Sequence, residues 1–312
     1  MRALAQSHGL EARIVGLDHP AELRRALDGI GVVLHAAGPF SRTSRPMADA
    51  CLAVGAHYLD ITGEIGVFEA LAARNAEART AGVMLLPGVG FDVVPSDCLA
   101  AHLKRRLPGA VKLVLAFQSS GGLSRGTATT MVENISGGGA IRRGGRIVPV
   151  PAAWKTRTVD LGRGPVRVTS IPWGDVSTAW HSTGIPDIEV YTRMGGGTRA
   201  LLVASRYLGR LLRSAPAQRF LKARIRNRPP GPDQRARARG VSRLVGEVWD
   251  TAGGHARTRL TGPEGYTLTA HTAVAALERT LAGEATPGFR TPSLAFGPDF
   301  ILGIEGVLRE DL

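Results

Sequence analysis

The sequence of 312 residues is poor in cysteine and has no long hydrophobic run. Its two cysteines, Cys51 and Cys98, both lie in apolar helical contexts, so we interpret them as buried free thiols in a reducing compartment rather than as a disulfide. No apolar run approaches the ~20 residues that a membrane-spanning helix needs, and the first residues, MRALAQSHGL, contain no signal-peptide core. These absences favour a cytoplasmic protein.

Several kinds of site are also absent from the sequence. No spacing of Cys and His suits zinc, and no order of Ser, His and Asp accompanies a nucleophile-elbow motif, so we predict neither a metal site nor a serine nucleophile. Aromatic residues make up only 5% of the chain, and no recognition module is visible, which argues against a nucleic-acid partner. With 44% hydrophobic and 21% charged residues, the chain reads as an ordinary globular protein long enough for two domains.

The stretch from Gly31 to Glu64 has the clearest pattern in the chain. Val32–Ala37 is a short apolar run without polar alternation, which is typical of a strand buried on both faces in a parallel sheet. A helix follows, with Pro46 predicted near its start and Gly55 at its left-handed carboxyl cap. His57–Ile61 is predicted to form the next strand.

The loops beyond these strands provide the candidate ligand contacts, because open α/β sheets bind ligands at the carboxyl ends of their strands. A third loop, after the predicted strand Val83–Leu86, contains two glycines that permit a tight backbone next to a ligand. The candidate cofactor contacts in the three loops are Ala37, Gly38, Pro39, Phe40, Thr62, Gly63, Glu64, Gly88 and Gly90. Asp18 precedes a helix predicted to extend to Leu27, and its simplest interpretation is a residue at the helix start.

A dinucleotide-binding fold normally begins with a strand, a G-x-G-x-x-G turn and a helix whose N-terminus receives the pyrophosphate. This sequence has no such opening: Arg2–His8 is predicted to end a helix, Gly9 to cap it, and Glu11–Leu17 to form a strand. The usual strand, turn, helix and second strand would take on the order of 30 residues. We expect either that such a segment precedes this sequence in the natural protein or that the chain is natively short and cofactor-poor. Cofactor binding by these residues alone is therefore in doubt.

The pattern changes at Val111, where we place the boundary between a partial dinucleotide-binding domain (residues 1–110) and an α+β domain (residues 111–312). Short segments punctuated by Gly and Pro predict a mixed or antiparallel sheet in the second domain. They are Arg146–Val150, Lys155–Leu161, Val166–Ile171, Asp187–Thr192, Arg243–Trp249 and Ala256–Leu260. Helices are predicted at Phe68–Ala81, Gly126–Ser136 and Thr267–Leu281. The predicted fold class is α/β: a truncated Rossmann-type parallel sheet followed by an α+β domain.

Three side chains are candidates for proton transfer. Ser96 and Asp97 follow the third loop, and either one could instead cap a helix predicted over Cys98–Leu107. His181 could donate or accept a proton near neutral pH, although a single His in a loop is more often an ordinary hydrogen-bonded group. It shares a polar cluster, predicted as two turns, with Trp173, Asp175 and Ser182.

Between Leu201 and Arg243 the sequence carries twelve basic residues and one acid, Asp233, for a net charge of +11 out of +13 for the whole chain. Regularly spaced leucines in its first half predict one or two amphipathic helices. We interpret this basic segment (residues 198–243) in three ways. It is a solvated helical pair, a peripheral contact with an anionic plasma membrane, or a dock for an acidic partner such as an acyl carrier protein.

An ordered set of motifs extends over nearly the whole chain. The motifs are HAAGPF, ACLAVGAHYLDITGE, LPGVGFDVVPSD, IPWGDVSTAWHSTGIP, PPGPDQRARARG, GEVWD, PEGYTLTA and FRTPSLAFG. This set resembles the saccharopine dehydrogenase-like oxidoreductase family, and more narrowly its trans-acting enoyl reductase branch.

The resemblance implies hydride transfer with NADP(H), or with NAD, to a carbon–carbon double bond of an acyl, polyketide- or lipid-type substrate in glycolipid or lipid metabolism. An acyl carrier protein or a polyketide synthase is a candidate partner. The resemblance assigns Glu11–Leu17 to the third strand, Asp18 to the surroundings of the adenine and the loop before Ser96 to the nicotinamide end, but it provides no catalytic residue. A non-catalytic relative without the phosphate loop, a membrane- or carrier-docking protein, and a homodimer are left open.

Overall fold

A computed structural model of the chain describes residues 2–120, 125, 138–212, 214–226 and 231–312. Four short strands form a parallel sheet in the order β1, β2, β3, β12. They are β1 (Val32–His35), β2 (His57–Asp60), β3 (Met84–Leu86) and β12 (Gly288–Phe289), with labels that follow chain order. The three predicted strands of this region are thus confirmed, and the fourth comes from near the end of the chain.

The strands of this sheet are apolar because both of its faces are covered. On one face, Tyr58 and Leu85 pack against helices that carry Cys51 and Val67. On the other face, Leu59 belongs to the larger core that extends into the second sheet. The helices are α3 (Phe40–Val54), α4 (Ile65–Ala72) and α5 (Asn75–Thr80). Both cysteines are free and buried, as predicted, and burial raises the pKa of Cys51 to about 12.

Helix α3 begins earlier than the sequence predicts. The carboxylate of Glu64 accepts hydrogen bonds from the backbone N–H groups of Phe40 (2.9 Å) and Ser41 (3.1 Å), which have no acceptor within the helix. Pro46 therefore lies inside the helix, and its predicted position near the helix start is wrong. Gly55 caps the helix in the left-handed conformation (φ 79°), as predicted.

Two further predictions for this region need correction. Residues 11–16, all of them described, form no strand, because none of the described strands lies beside them to complete a hydrogen-bonded ladder. The predicted helix over residues 68–81 is divided into α4 and α5, with a break at Ala73 and Arg74. By contrast, α1 (Arg2–Ser7) and the left-handed Gly9 (φ 67°) confirm the predicted helix end.

The second sheet is mixed, with nine strands among the described residues. Its main path runs β13, β11, β10, β4, β9, β5, β6, and β8 pairs with both β9 and β7. Only β4 and β9 pair in parallel among these neighbours. The strands are β4 (Lys112–Ser119), β5 (Gly139–Arg143), β6 (Arg146–Val150), β7 (Thr156–Asp160), β8 (Pro165–Ser170), β9 (Asp187–Thr192), β10 (Val241–Trp249), β11 (His255–Pro263) and β13 (Leu308–Asp311). The predicted α/β class, a parallel sheet followed by a mixed sheet, is confirmed.

Helix α6 (Val94–Arg106) joins the two sheets into one apolar core. Its Leu99 and Leu103 are fully buried and pack against β10. Gly246 in β10 makes this approach possible, because a Cβ atom at that position would lie 2.4 Å from Cδ1 of Leu103. The helix begins four residues earlier than predicted, so Ser96 and Asp97 lie in its first turn and neither is its N-cap.

Several helices are attached to the second sheet. The residues predicted as two turns around His181 form one helix, α7 (Asp175–Thr183), which is a correction to the sequence analysis. The basic segment forms α8 (Gly196–Leu212), α9 (Ala215–Arg226) and α10 (Gln234–Arg239), which confirms the predicted helices in its first half. The helix predicted at 126–136 lies outside the described residues.

After β11 the chain returns to the first sheet. Helix α11 (Gly265–Arg279) starts at Glu264, whose carboxylate accepts the N–H groups of Tyr266 (2.9 Å) and Thr267 (3.2 Å). Strand β12 then pairs with β3, with Phe289 opposite Leu85, and α12 (Pro292–Phe296) follows. The predicted boundary at residue 110 does not assign β12 to the first sheet. The division into two domains stays a prediction. None of the helices in the described residues is long and apolar enough to span a bilayer.

Candidate functional site

The carboxyl ends of β1 and β2 lie side by side, as the sequence predicts. His35 is in register with Asp60 in the parallel pair. The loops that follow also meet, because Glu64 after β2 binds the backbone at the start of α3. Thr43 donates a hydrogen bond to the carbonyl of Ala37 (2.7 Å) and holds the first loop in place. Ala37 and Gly38 remain exposed at this edge of the sheet.

Asp60 connects the second and third loops. One oxygen of its fully buried carboxyl group accepts the N–H groups of Thr62 and Gly88, both at 2.9 Å, and the other accepts the Tyr58 hydroxyl at 2.6 Å. Burial raises the pKa of Asp60 to about 6, against the opposing effect of these three donors. The side chain therefore stabilises the loops rather than facing a ligand.

Asp92 lies beside the second loop. A Cβ atom on Gly63 would be only 2.7 Å from Oδ2 of Asp92. A Cβ atom on Gly174 would be 3.5 Å from the carbonyl oxygen of Gly63, so Gly174 also lies next to this loop. The side chain of Asp92 is half-buried, and none of the described residues donates a hydrogen bond to it. Burial raises the pKa of Asp92 to about 6. Asp92 is thus a carboxyl group that can carry a proton close to neutral pH.

Three aromatic rings follow one another from the third loop to the second sheet. The ring of Phe91 is 6.0 Å from that of Phe117 in β4, and Phe117 is 4.8 Å from the half-buried Trp173. The backbone N–H of Phe91 donates to Thr269 in α11 (3.0 Å), which fixes the position of this loop. The rings form an apolar wall that begins at Phe91, the residue before Asp92.

The side chains of Ser96 and Asp97 are engaged in hydrogen bonds with other residues of the chain. The buried carboxylate of Asp97 accepts the hydroxyl of Ser182 (2.6 Å) and the N–H of Ser293 (2.7 Å). It therefore joins α6 to α7 and to the first turn of α12. The Ser96 hydroxyl donates to the carbonyl of Val93 (3.1 Å). Their predicted roles in proton transfer remain untested, but a structural role accounts for both side chains.

His181 belongs to an ion-pair cluster between the two sheets. Its Nε2 atom lies 3.5 Å from Oε1 of Glu69 in α4. The same oxygen accepts the hydroxyl of Ser177 (2.6 Å) and an N–H of Arg142 (2.9 Å). Arg142 is buried and also donates to two backbone carbonyls, so its charge is well enclosed. His181, Ser177 and Arg142 together lower the pKa of Glu69 to about 2.

Asp175 is a buried carboxyl group that the sequence analysis assigned to a polar turn. It is fully buried at the start of α7, and neither of its oxygens has a hydrogen-bond partner among the described residues. Burial raises the pKa of Asp175 well above its ordinary value. A neutral, protonated side chain is the form that this environment favours.

Packing accounts for the two glycines of the third loop. Gly88 has a positive φ (78°), and a Cβ atom there would approach the Phe68 ring to 2.9 Å. A Cβ atom on Gly90 would approach Thr269 to the same distance.

Asp18 is exposed and precedes α2 (Pro20–Ala26), whose N-cap is His19 and not Asp18. Cofactor contacts by Gly88, Gly90 and Asp18 stay predictions.

The residues at the sheet edge fit one part of a dinucleotide. The N–H groups at the start of α3 bind Glu64, so they do not offer the phosphate site that a helix N-terminus usually provides. The Glu64 carboxylate and the exposed backbone around Ala37 and Gly38 instead present acceptors, which suit the hydroxyl groups of a ribose. Glu64, Ala37 and Gly38 are therefore the residues that would hold the sugar portion of the cofactor.

Comparison with known proteins identifies this part of the molecule. Residues 1–86 match the family described as Saccharopine dehydrogenase NADP binding domain. The match includes the loops after β1 and β2, and it supports NADP as the cofactor predicted from the sequence.

Two curated relatives match part of this chain. A protein of Mycobacterium tuberculosis (strain ATCC 25618 / H37Rv), provisionally named a trans-acting enoyl reductase, is 32% identical over 124 residues, which is 38% of this chain and 30% of that protein. The saccharopine dehydrogenase-like oxidoreductase of Homo sapiens is 30% identical over 105 residues, which is 33% of this chain and 24% of that protein. The matched segments thus span under a third of either relative.

A solved structure shares the fold over the whole chain. It is the apo saccharopine dehydrogenase (L-Glu forming) from Saccharomyces cerevisiae, with a TM-score of 0.64, 11% identity and coverage of 100% of this chain and 91% of that one. This likeness shows the fold, and the resemblance given by the sequence motifs is supported by the family match over residues 1–86 and by the two curated relatives. Sequence reasoning did not single out Asp92 or Glu69. Asp92 directly follows the motif glycines and could have been noticed, whereas nothing local marks Glu69 as a contact between the sheets.

Proposed function

We propose that this chain is an NADP(H)-dependent oxidoreductase that reduces a carbon–carbon double bond conjugated to an acyl group. The observation that carries the proposal is the arrangement at the sheet edge. Gly63, within the segment that matches the NADP-binding family, lies directly against Asp92. Phe91, the residue before Asp92, begins the aromatic wall that continues through Phe117 and Trp173. An apolar wall suits an acyl or lipid-like chain, and the partial similarity to a mycobacterial relative with the enoyl reductase name supports the same substrate class.

The proposed roles follow from the chemistry of these groups. A bound NADPH supplies the hydride. Glu64 and the backbone of Ala37 and Gly38 orient its sugar, and the aromatic wall keeps water away from the reacting carbons. After hydride addition at the carbon β to the carbonyl, a proton must reach the α carbon, and Asp92 can hold one because its pKa is raised to about 6.

The test is titration calorimetry of the 312-residue chain with NADPH, together with Glu64→Gln and the matched control Glu22→Gln on exposed α2. We expect binding that Glu64→Gln weakens on the order of tenfold, since the substitution removes a charged acceptor, while the control leaves binding unchanged. Oxidation of NADPH at 340 nm with a 2-enoyl thioester then tests the reaction. Binding without any oxidation across short- and long-chain enoyl thioesters would contradict the proposed substrate class.

A non-catalytic relative is the second candidate function. The observation that favours it is the Glu64 carboxylate on the N–H groups of Phe40 and Ser41, where a negative charge opposes a phosphate group. The same calorimetric titration separates the two candidates. Absence of NADPH binding both to the 312-residue chain and to a chain extended upstream supports the non-catalytic relative and contradicts the oxidoreductase.

A further inference from the structure

The basic segment carries large apolar side chains that are exposed. We use the name helical arm for α8, α9 and α10, the described parts of residues 196–239. Leu201 and Leu208, seven residues apart and hence on one face of α8, are 53% and 46% exposed. Tyr207 is 84% exposed, and Phe220 in α9 is 62% exposed. Exposed apolar side chains concentrated on adjoining helices are typical of a contact surface.

The helical arm is also the most basic part of the molecule. Besides Arg206, its described and exposed arginines are Arg219, Arg224, Arg235, Arg237 and Arg239. The guanidinium group of Arg224 lies over the Phe220 ring, 5.9 Å from its centre, so a charged and an apolar group are presented together. The only acid between Leu201 and Arg243 is Asp233, whose carboxylate accepts the N–H of Ala236 at the start of α10. The surface therefore attracts an anionic partner.

The base of the helical arm is attached to the second sheet. The Arg206 guanidinium donates to the carbonyls of Ala152 (2.7 Å) and Ala153 (2.8 Å), and Ser205 beside it is buried. The next residue after this attachment point, Trp154, is 39% exposed. An exposed Trp and Tyr near a basic amphipathic helix are typical of the interface between lipid headgroups and acyl chains.

Among the three interpretations of this segment, the structure favours lipid. A solvated helical pair does not explain why four of the thirteen exposed large hydrophobic side chains in the described residues lie on α8 and α9. An acidic protein would need the arginines but not the apolar groups between them. A bilayer with anionic headgroups uses both, because acyl chains accept the apolar face and headgroups accept the arginines.

We propose that the helical arm binds the surface of an anionic bilayer, with Leu201, Leu208 and Phe220 at the level of the acyl chains and the arginines at the headgroups. The helical arm shares no residue with the sheet edge that is proposed to hold the cofactor, and the proposal does not depend on the reductase activity.

The test is cosedimentation of the full chain with vesicles of phosphatidylcholine and with vesicles of equal parts phosphatidylcholine and phosphatidylglycerol. We expect binding only to the anionic vesicles, weakened by added salt. The double substitution Arg219→Glu and Arg224→Glu should weaken binding by on the order of 25-fold or more, since each basic residue near an anionic surface contributes about a factor of five. Leu208→Ser with Phe220→Ser should weaken it about tenfold or more.

Matched controls remove the effect of net charge and of general surface polarity. Arg24→Glu with Arg25→Glu makes the same charge change on exposed α2, and Leu281→Ser with Leu308→Ser removes two exposed apolar groups elsewhere. Both controls should bind as the wild type does. The double substitution Arg219→Lys and Arg224→Lys keeps the positive charges and should retain binding, which tests the role of charge even if the Glu variant folds poorly.

Equal losses in a control and its matched arm variant, or no binding of the wild-type chain to anionic vesicles, would overturn the proposal. Binding to poly-L-glutamate but not to vesicles would also overturn it in favour of an acidic protein partner.

Discussion

The contact of Glu69 with Arg142 gives the sharpest quantitative prediction. It joins α4, beside the parallel sheet, to β5 of the mixed sheet, and its arginine is 4% exposed. Replacing Glu69 with Gln leaves a buried guanidinium N–H without a charged acceptor, although Arg142 retains the carbonyls of Val176 and Gly145. We therefore expect the Glu69→Gln variant to be less stable than the wild type at neutral pH.

The magnitude follows from the pKa of Glu69, which falls from its ordinary 4.5 to about 2. If solvent did not screen Glu69 at all, a pKa shift of this size would correspond to roughly 3 kcal/mol in the free energy of unfolding. Because the Glu69 side chain is 41% exposed, solvent screening reduces this to about 1–2 kcal/mol. A lowered pKa stabilises the fold at pH values above 4.5, and the stabilisation is lost as pH falls from 4.5 towards 2.

Urea unfolding of wild type and Glu69→Gln from pH 7 to pH 3 measures this difference. The two free energies of unfolding should differ by about 1–2 kcal/mol at pH 7, and the difference should fall to roughly half by pH 3. The matched control is Glu77→Gln, which removes an exposed i,i+3 partner of Arg74 and should change stability by less than about 1 kcal/mol. A difference between wild type and Glu69→Gln that stays constant with pH would refute the assignment of this energy to the charge of Glu69.

Three further predictions concern the loops at the sheet edge. Asp60→Asn places an amide among three hydrogen-bond donors and should cost about 2–4 kcal/mol by urea unfolding; a loss below 1 kcal/mol would contradict the network described. Gly88→Ala, with positive φ and a clash with Phe68, should cost at least about 1–3 kcal/mol, whereas Gly66→Ala, with open space around it, should be neutral or stabilising. Asp92→Asn should abolish most of the enoyl reduction. Wild-type kcat/KM should fall as pH rises through about 6, where Asp92 loses its proton. If the pH profile of the variant equals that of the wild type, Asp92 is not the acid.

The sequence by itself determined the parallel strands and the loops after them. The unbroken apolar run of β1 and the glycine at residue 55 are local signals, and each has one strongly preferred backbone conformation. The same holds for the amphipathic helices of the basic segment, because a 3.6-residue period is visible without any partner. The first three motifs that indicated the saccharopine dehydrogenase-like family include these same loops.

Tertiary contacts decided the rest. Glu64 satisfies backbone donors 24 residues earlier in the chain and so moves the start of α3 ahead of Pro46. Strand β12 has only two residues and exists because β3 offers it a free edge. Asp97, Asp175 and Glu69 differ in burial and partners, and those environments, set by helices distant in sequence, give three chemically similar carboxyl groups different pKa values and different roles.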